Sequence, residues 1–259
     1  MRIFSSPLGR NILTLLKGNI FAQALPILCM PLLTRLYTPE DFGIFTLYLS
    51  IVLSLASIAG LRYEYGILLP KKNFIAWHLL ILAAKITLII SIIIGIFFIV
   101  MSVQIADLLK NSALTPWLGL VGFNILIIGM TQLLTFWFNR NKQYKLITNQ
   151  RMLQSTASNG TQIILGFGFH FGVSGLILGN IFSQLITLAY SIKIVSLNEF
   201  NNKSKPKKIE KKLLTHFKRL PLYNAPTALI DSLRLNGINV LLSAFFSVSS
   251  LGQFASAWR

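Results

Sequence analysis

Polar and ionisable side chains set inside long apolar stretches are the residues of this chain best placed to do chemistry. A charge inside hydrocarbon is costly unless it faces a cavity, a partner or a ligand, so each one marks a candidate site. Asn19 and Gln23 lie four apart in an apolar stretch and share one helical face. Lys17 precedes them, but only about five residues into the stretch, from where it can equally snorkel to the surface. Pro26 and Pro31 follow, each able to kink a helix and free a backbone carbonyl. Arg62 and Glu64 sit in LRYEYGILLP, between one apolar run and another that ends at Pro70. They are embedded if the helix continues to Pro70 and solvated if it stops at Leu61. In a continuous helix, side chains at i and i+2 point about 200° apart, so neither is expected to pair with the other. Lys85 falls near the bilayer centre, about ten residues into its helix and too deep to snorkel easily, which suggests an anion-binding or helix-pairing role. In the last apolar stretch, Thr227, Asp231 and Arg234 are spaced four and three apart, so Asp231 is expected to pair with Arg234. Asn236 and Asn239 add a second polar stripe. A buried pair is not by itself stabilising, so gluing helices together and lining a polar path both stand as its use.

The elements that must hold these residues are membrane-spanning helices. Apolar stretches run over 12–34, 42–61, 75–101, 114–138, 153–171, 173–195 and 220–246, most of them long enough to cross a hydrocarbon core of ~30 Å. Cationic residues concentrate in every second connector: Arg2 and Arg10; Arg62, Lys71 and Lys72; Arg140, Lys142, Lys145 and Arg151; and the lysine-rich segment 193–219. The intervening connectors offer only Arg35 and Lys110, beside Glu40, Asp41 and Asp107. Positive charge is retained on the cytoplasmic side, so a cytoplasmic N-terminus followed by seven alternating helices is expected. The fold class is therefore an all-α polytopic membrane protein.

Composition narrows the chemistry further. A net charge of +17 would suggest nucleic acid in a soluble chain, but here it lies in loops between spans and 54% of residues are hydrophobic. Topology and attraction to anionic membrane lipids account for it, and no nucleic-acid partner is expected. Cys29 is the single cysteine, and His78, His170 and His216 are scattered, so neither a disulfide nor a metal-ligand set is available and no cofactor is expected. The first apolar stretch is too long, and lacks the small-residue site, for a cleavable signal. There is no Ser-His-Asp set and no glycine-rich phosphate loop, so no catalytic constellation is offered and an enzyme is not expected. The spacings Gly168-x-x-x-Gly172 and Gly175-x-x-x-Gly179 fit close helix packing around a tight turn.

The chain also repeats itself. LLTRLYTPEDFGIFTLYLS (Leu32–Ser50) aligns without a gap on LLSAFFSVSSLGQFASAWR (Leu241–Arg259), placing Gly43 on Gly252 and Phe45 on Phe254 at an offset of 209 residues. Six helices lie within that offset, and an even number makes the repeat parallel rather than inverted. A repeat is normally present whole, so a complete protein is expected to need about twice this unit. On that expectation the chain is a fragment or a truncated product, with an eighth helix just beginning over Gln253–Arg259; an outward tail over Leu251–Arg259 is the other reading. The expected organisation is a first lobe of six helices (1–197), a basic cytoplasmic linker (198–219) and the start of a second lobe (220–259).

PLLTRLYTPEDFGIFTLYLS followed by LRYEYGILLP resembles the opening of bacterial polysaccharide-export proteins. These are the O-antigen-type flippases of the multidrug, oligosaccharidyl-lipid and polysaccharide exporter superfamily. NRNKQYKLITNQRMLQS and FKRLPLYNAPTALIDSL are similar to the same family, so the likeness covers most of the chain. The resemblance implies a two-lobed, parallel-repeat, MATE-like transporter of which this chain holds the first six-helix lobe and the seventh helix. It further implies translocation of an undecaprenyl-pyrophosphate-linked oligosaccharide across the inner (plasma) membrane by alternating access, for O-antigen or capsule synthesis, with the polysaccharide polymerase machinery as a further partner. On that reading Arg62, Lys85 and Arg234 would meet the pyrophosphate, Asn19, Gln23, Asn236 and Asn239 the sugar hydroxyls, and Glu64 or Asp231 would serve ion coupling or structure. The alternatives are a drug or cation antiporter of the same superfamily, whose site should be acidic, and an inactive remnant, since the chain is shorter than the family.

Overall fold

An apolar run in hydrocarbon must satisfy its own backbone, and the α-helix is how a single segment does so. The computed structural model describes residues 7–109, 111–169, 171–199 and 213–258, which are helical with no strand among them. Lys110, His170 and residues 200–212 of the expected linker lie outside the described residues. The long helices are α1 (Pro7–Leu36), α2 (Pro39–Ala56), α3 (Asn73–Val100), α4 (Val121–Arg140), α5 (Tyr144–Phe169), α6 (Val173–Glu199), α7 (Ala225–Phe245) and α8 (Val248–Trp258). Among the described residues, six segments, in α1 to α4, α6 and α7, are long and apolar enough to cross a membrane. The expected helix over 153–171 departs most from the structure: α5 begins nine residues earlier and is not among those six. Its polar stripe packs between α1 and α6 rather than against lipid, so the apolarity that marks an ordinary span is not required of it.

The second apolar stretch is not one helix. Thr38 caps α2, accepting a hydrogen bond from the Asp41 N–H at 3.2 Å, while the Asp41 carboxylate accepts one from the Thr38 N–H at 2.9 Å. The helix then stops at Ala56, and turns lead to a single helical turn at Tyr63–Gly66. Leu61 and Arg62 take left-handed backbone with φ of 47° and 60°, uncommon for residues with a Cβ. Arg140 closes the segment from α4, donating to the Ile67 carbonyl at 2.9 Å and to Asn73 Oδ1 at 3.1 Å.

Two apolar cores hold the bundle, one built around Phe45, Tyr48, Ile125 and Ile177 and the other around Ile67, Leu79, Trp137 and Phe138. Each helix that contributes to both passes through a polar stretch on the way. The buried apolar residues of α4 stop at Ile127 and resume at Leu133, and those of α6 stop at Ile181 and resume at Val195. Thr87 and Ser91 of α3, Gln150 of α5, and Ser183, Gln184, Thr187 and Ser191 of α6 are all buried in the intervening belt. Outward, α3 exposes Ile89, Ile92, Ile93 and Ile96, a face suited to lipid.

Close helix approaches are made by glycine. A Cβ on Gly122 of α4 would overlap the Gly95 Cα of α3, and one on Gly175 would overlap the Tyr37 hydroxyl. The Tyr37 hydroxyl, which burial and secondarily Asp41 push up to about 12, stays protonated and donates to the Gln162 carbonyl at 2.6 Å. Of the two glycine spacings, Gly175 and Gly179 serve packing, Gly172 turns the chain with φ of 51°, and Gly168 has nothing within 4 Å of an added Cβ.

The repeat has a structural counterpart. α1 ends at Leu36 and α7 at Phe245; α2 starts at Pro39 and α8 at Val248, each pair separated by the same 209 residues. Ser247 caps α8 through the Ser250 N–H at 3.1 Å, as Thr38 caps α2 through the Asp41 N–H at 3.2 Å. The eighth helix thus begins at Val248, ahead of the expected Gln253, and residues 251–258 are helix rather than a tail. α2 and α8 cross where a Cβ on Gly43 would overlap the Val248 carbonyl and one on Gly252 would overlap the Pro39 carbonyl. These two contacts exchange under the 209-residue offset, the reciprocity expected of a local two-fold axis.

Candidate functional site

Glu64 sits in the polar belt at 3% exposure. Its Oε1 lies 3.5 Å from Arg62 Nη1 and accepts a hydrogen bond from Gln132 Nε2 of α4 at 3.4 Å. Its Oε2 and the Arg62 Nε are buried without hydrogen-bond partners, and the Arg62 guanidinium stands 5.5 Å from the Tyr65 ring centroid. The expectation that Arg62 and Glu64 cannot pair is overturned. It assumed a continuous helix, whereas left-handed backbone at Leu61 and Arg62 swings the two side chains to the same side. Both are embedded, as the reading with a longer second stretch expected, but in broken backbone.

The second part of the site runs along α5. Three of its side chains reach α1 in register: Thr148 donates to the Thr14 carbonyl at 3.1 Å, Arg151 to Asn19 Oδ1, and Ser155 to the Ala22 carbonyl at 2.9 Å. The last of these has a simple cause. Pro26 has no N–H to return to the carbonyl four residues earlier, which is Ala22, so Ser155 fills that vacancy. Beside the ladder lies a groove of about 530 Å³ lined by Gln23, Arg151, Gln154, Ser158, Asn159 and Asn180, among others. Behind Arg151 and Gln154, between α4, α5 and α6, is a further chamber of about 260 Å³. Thr135 donates to Gln150 Oε1 at 2.9 Å and Gln150 Nε2 to Ser191 Oγ at 2.8 Å, tying the three helices beside it.

The structure therefore brings Asn19 and Gln23 together with Arg151, and Arg62 with Glu64. The remaining candidates stand apart. Lys85 is exposed on the outer side of α3 and lines neither cavity. Asp231 and Arg234 are exposed, and no ion pair within 4 Å joins them, so their expected pairing is not formed. The reason is which face α7 buries: it meets α2 through Ser232, which donates to the Leu53 carbonyl at 3.3 Å, and Asn239, which donates to Ser50 Oγ at 2.9 Å. An exposed pair has little to hold it closed. Asn236 donates to the Ser232 carbonyl of its own helix at 3.0 Å, so both asparagine amides already have protein acceptors. Arg151, Gln154, Gln132 and Gln184 were not among the sequence candidates. For Arg151 and Gln154 the signal was the recurrence of polar residues at 150, 151, 154, 155, 158, 159 and 162, one face of a helix.

A helical membrane bundle with a parallel repeat, a broken second helix and a polar belt has the architecture of a MATE-like transporter fold. In agreement, the chain is similar to a solved structure described as the inward-facing conformation of a multidrug resistance MATE family transporter of the MOP superfamily. The TM-score is 0.57 at 18% identity, over 93% of this chain and 60% of that one. The chain thus spans about three-fifths of that transporter's length, and at this identity the likeness concerns fold alone. Residues 32–259 match the family described as polysaccharide biosynthesis protein, and the chain belongs to that family. No protein of curated function matches it.

Proposed function

We propose that this chain is part of an exporter that moves a lipid-linked oligosaccharide, carried on undecaprenyl pyrophosphate, across the inner membrane for surface polysaccharide synthesis. The N-terminus is cytoplasmic in this reading, and the two repeat units rock against each other to expose the site to either side. The observation that carries it is the polar belt itself. In a bundle of a polysaccharide family, the belt and the groove beside α1 present two arginines, the half-buried Arg62 and the exposed Arg151, and many neutral amides, and the one carboxylate there among the described residues, Glu64, is already beside Arg62. Arginine suits a phosphate through charge-assisted hydrogen bonds, and amides suit sugar hydroxyls. Arg62 and Arg151 are the phosphate-facing groups in this proposal, and Asn19 and Gln23 belong to the sugar side. A drug or cation antiporter needs acidic groups free to attract a cation, which this belt does not supply.

The test is restoration of surface polysaccharide in a flippase-deficient strain by the exporter carrying Arg62→Ala or Arg151→Ala. Each is expected to lower surface polysaccharide by about tenfold, the scale of one lost charge-assisted contact. Unchanged polysaccharide in both, at normal protein levels in the membrane, would falsify the assignment of the arginines.

A further inference from the structure

The chamber between α4, α5 and α6 is lined mainly by residues with polar side chains, in a place where membrane helices are normally apolar. Of the residues that line it, only Ile128 is apolar; the others are threonines, glutamines and Arg151. Two of their polar atoms, Thr131 Oγ1 and Gln184 Oε1, are buried and hydrogen-bond to nothing in the protein. Gln184 is 5% exposed, and its Nε2 already donates to Asn180 Oδ1 at 2.6 Å. Whichever way that amide is turned, one end is left without a partner. Buried polar groups are rarely left so, and such a pair marks a place where something else supplies the hydrogen bonds.

The lining says what that is. No carboxylate faces the chamber, and Arg151 stands at its edge, so a cation has nothing to neutralise it. Away from Arg151, an anion would meet neutral groups and a glutamine oxygen. A hydroxyl both donates and accepts, so it suits a threonine hydroxyl and either end of a glutamine amide. Arg151 and Gln154 line both this chamber and the larger groove beside α1, so the two spaces adjoin at a common wall. A volume of about 260 Å³ is on the scale of one sugar ring rather than a chain of them.

We infer that the chamber of Thr131 and Gln184 is a hydroxyl-binding subsite that takes one neutral sugar residue, while Arg151 at its mouth stays with the phosphate. The inference rests on the exporter reading and adds to it where the sugar is distinguished from its carrier. Water is the other source of the same hydroxyl chemistry.

Native mass spectrometry of the protein in nanodiscs tests it with two probes: undecaprenyl pyrophosphate, and lipid-linked oligosaccharide extracted from the membranes of the cells that make the protein. The protein is expected to prefer the sugar-bearing lipid by about tenfold, and Gln184→Leu or Thr131→Val to remove most of that preference while leaving the bare carrier bound as before. Thermal melting of each variant checks that it is folded, and a misfolded Gln184→Leu leaves Thr131→Val to decide. If both folded variants keep the preference, the chamber holds water only and the inference is wrong, with the exporter reading intact. If the unaltered protein binds neither lipid, the exporter reading fails and takes the subsite with it.

Discussion

Glu64 and Arg62 form the only ion pair within 4 Å among the described residues, and they form it where the backbone is least regular. Removing one member leaves the other buried without its counter-charge, which is costlier than removing both. Glu64→Ala is expected to destabilise the protein by about 3 kcal/mol, and Arg62→Leu with Glu64→Leu to recover more than half of that loss. Unfolding in mixed micelles measures both; equal losses in the single and double variants would show the pair to be inert. The two residues were legible in the sequence because charges between apolar runs stand out. Their pairing was not, since no residue type at Leu61 or Arg62 announces a left-handed backbone. Arg151 was hidden for the opposite reason. It follows Arg140, Lys142 and Lys145 and reads as one more charge of a cytoplasmic connector, although it lies inside α5.

Among the elements, α5 shows the limit of hydropathy as a guide. Its polar face is turned to α1, α6 and the groove beside them, so a search for apolar runs finds only its later part and misplaces its start by nine residues. The other long helices keep an apolar outer face, and their positions follow the sequence closely. Glycine spacing was a poorer guide, because the same pattern marks contact at Gly175 and open space at Gly168. Two substitutions separate these cases. Gly122→Ala pushes a Cβ into the backbone of α3 and is expected to cost about 1–3 kcal/mol, the usual penalty of overpacking. Gly168→Ala meets nothing and gains helix propensity, so it is expected to be neutral or to stabilise by about 0.5–1 kcal/mol. Thermal melting in detergent ranks them, and a more damaging Gly168→Ala would contradict the packing described.

For the molecule as a whole, the repeat was the feature that sequence revealed at longest range. Equal offsets between the ends of α1 and α7, the starts of α2 and α8, and the caps at Thr38 and Ser247 give it physical form. What the letters do not show is that Gly43 and Gly252, matched in the alignment, also meet in space. Gly252→Ala is expected to loosen α8 while sparing the bundle: amides of Val248–Trp258 should exchange with solvent about tenfold faster, and those of α4 and α6 at unchanged rates. Uniform exchange across the chain would deny the crossing that role. In the rocking that the proposed function calls for, points near the pivot hardly move, and a crossing shared by both units can serve as that pivot, a rivet between them. α1 leaves it as a 30-residue arm about 45 Å long, and a turn of ten degrees would carry the far tip by about 8 Å. Two missing side chains at the rivet would thus set how widely the blades can open at the other surface of the membrane.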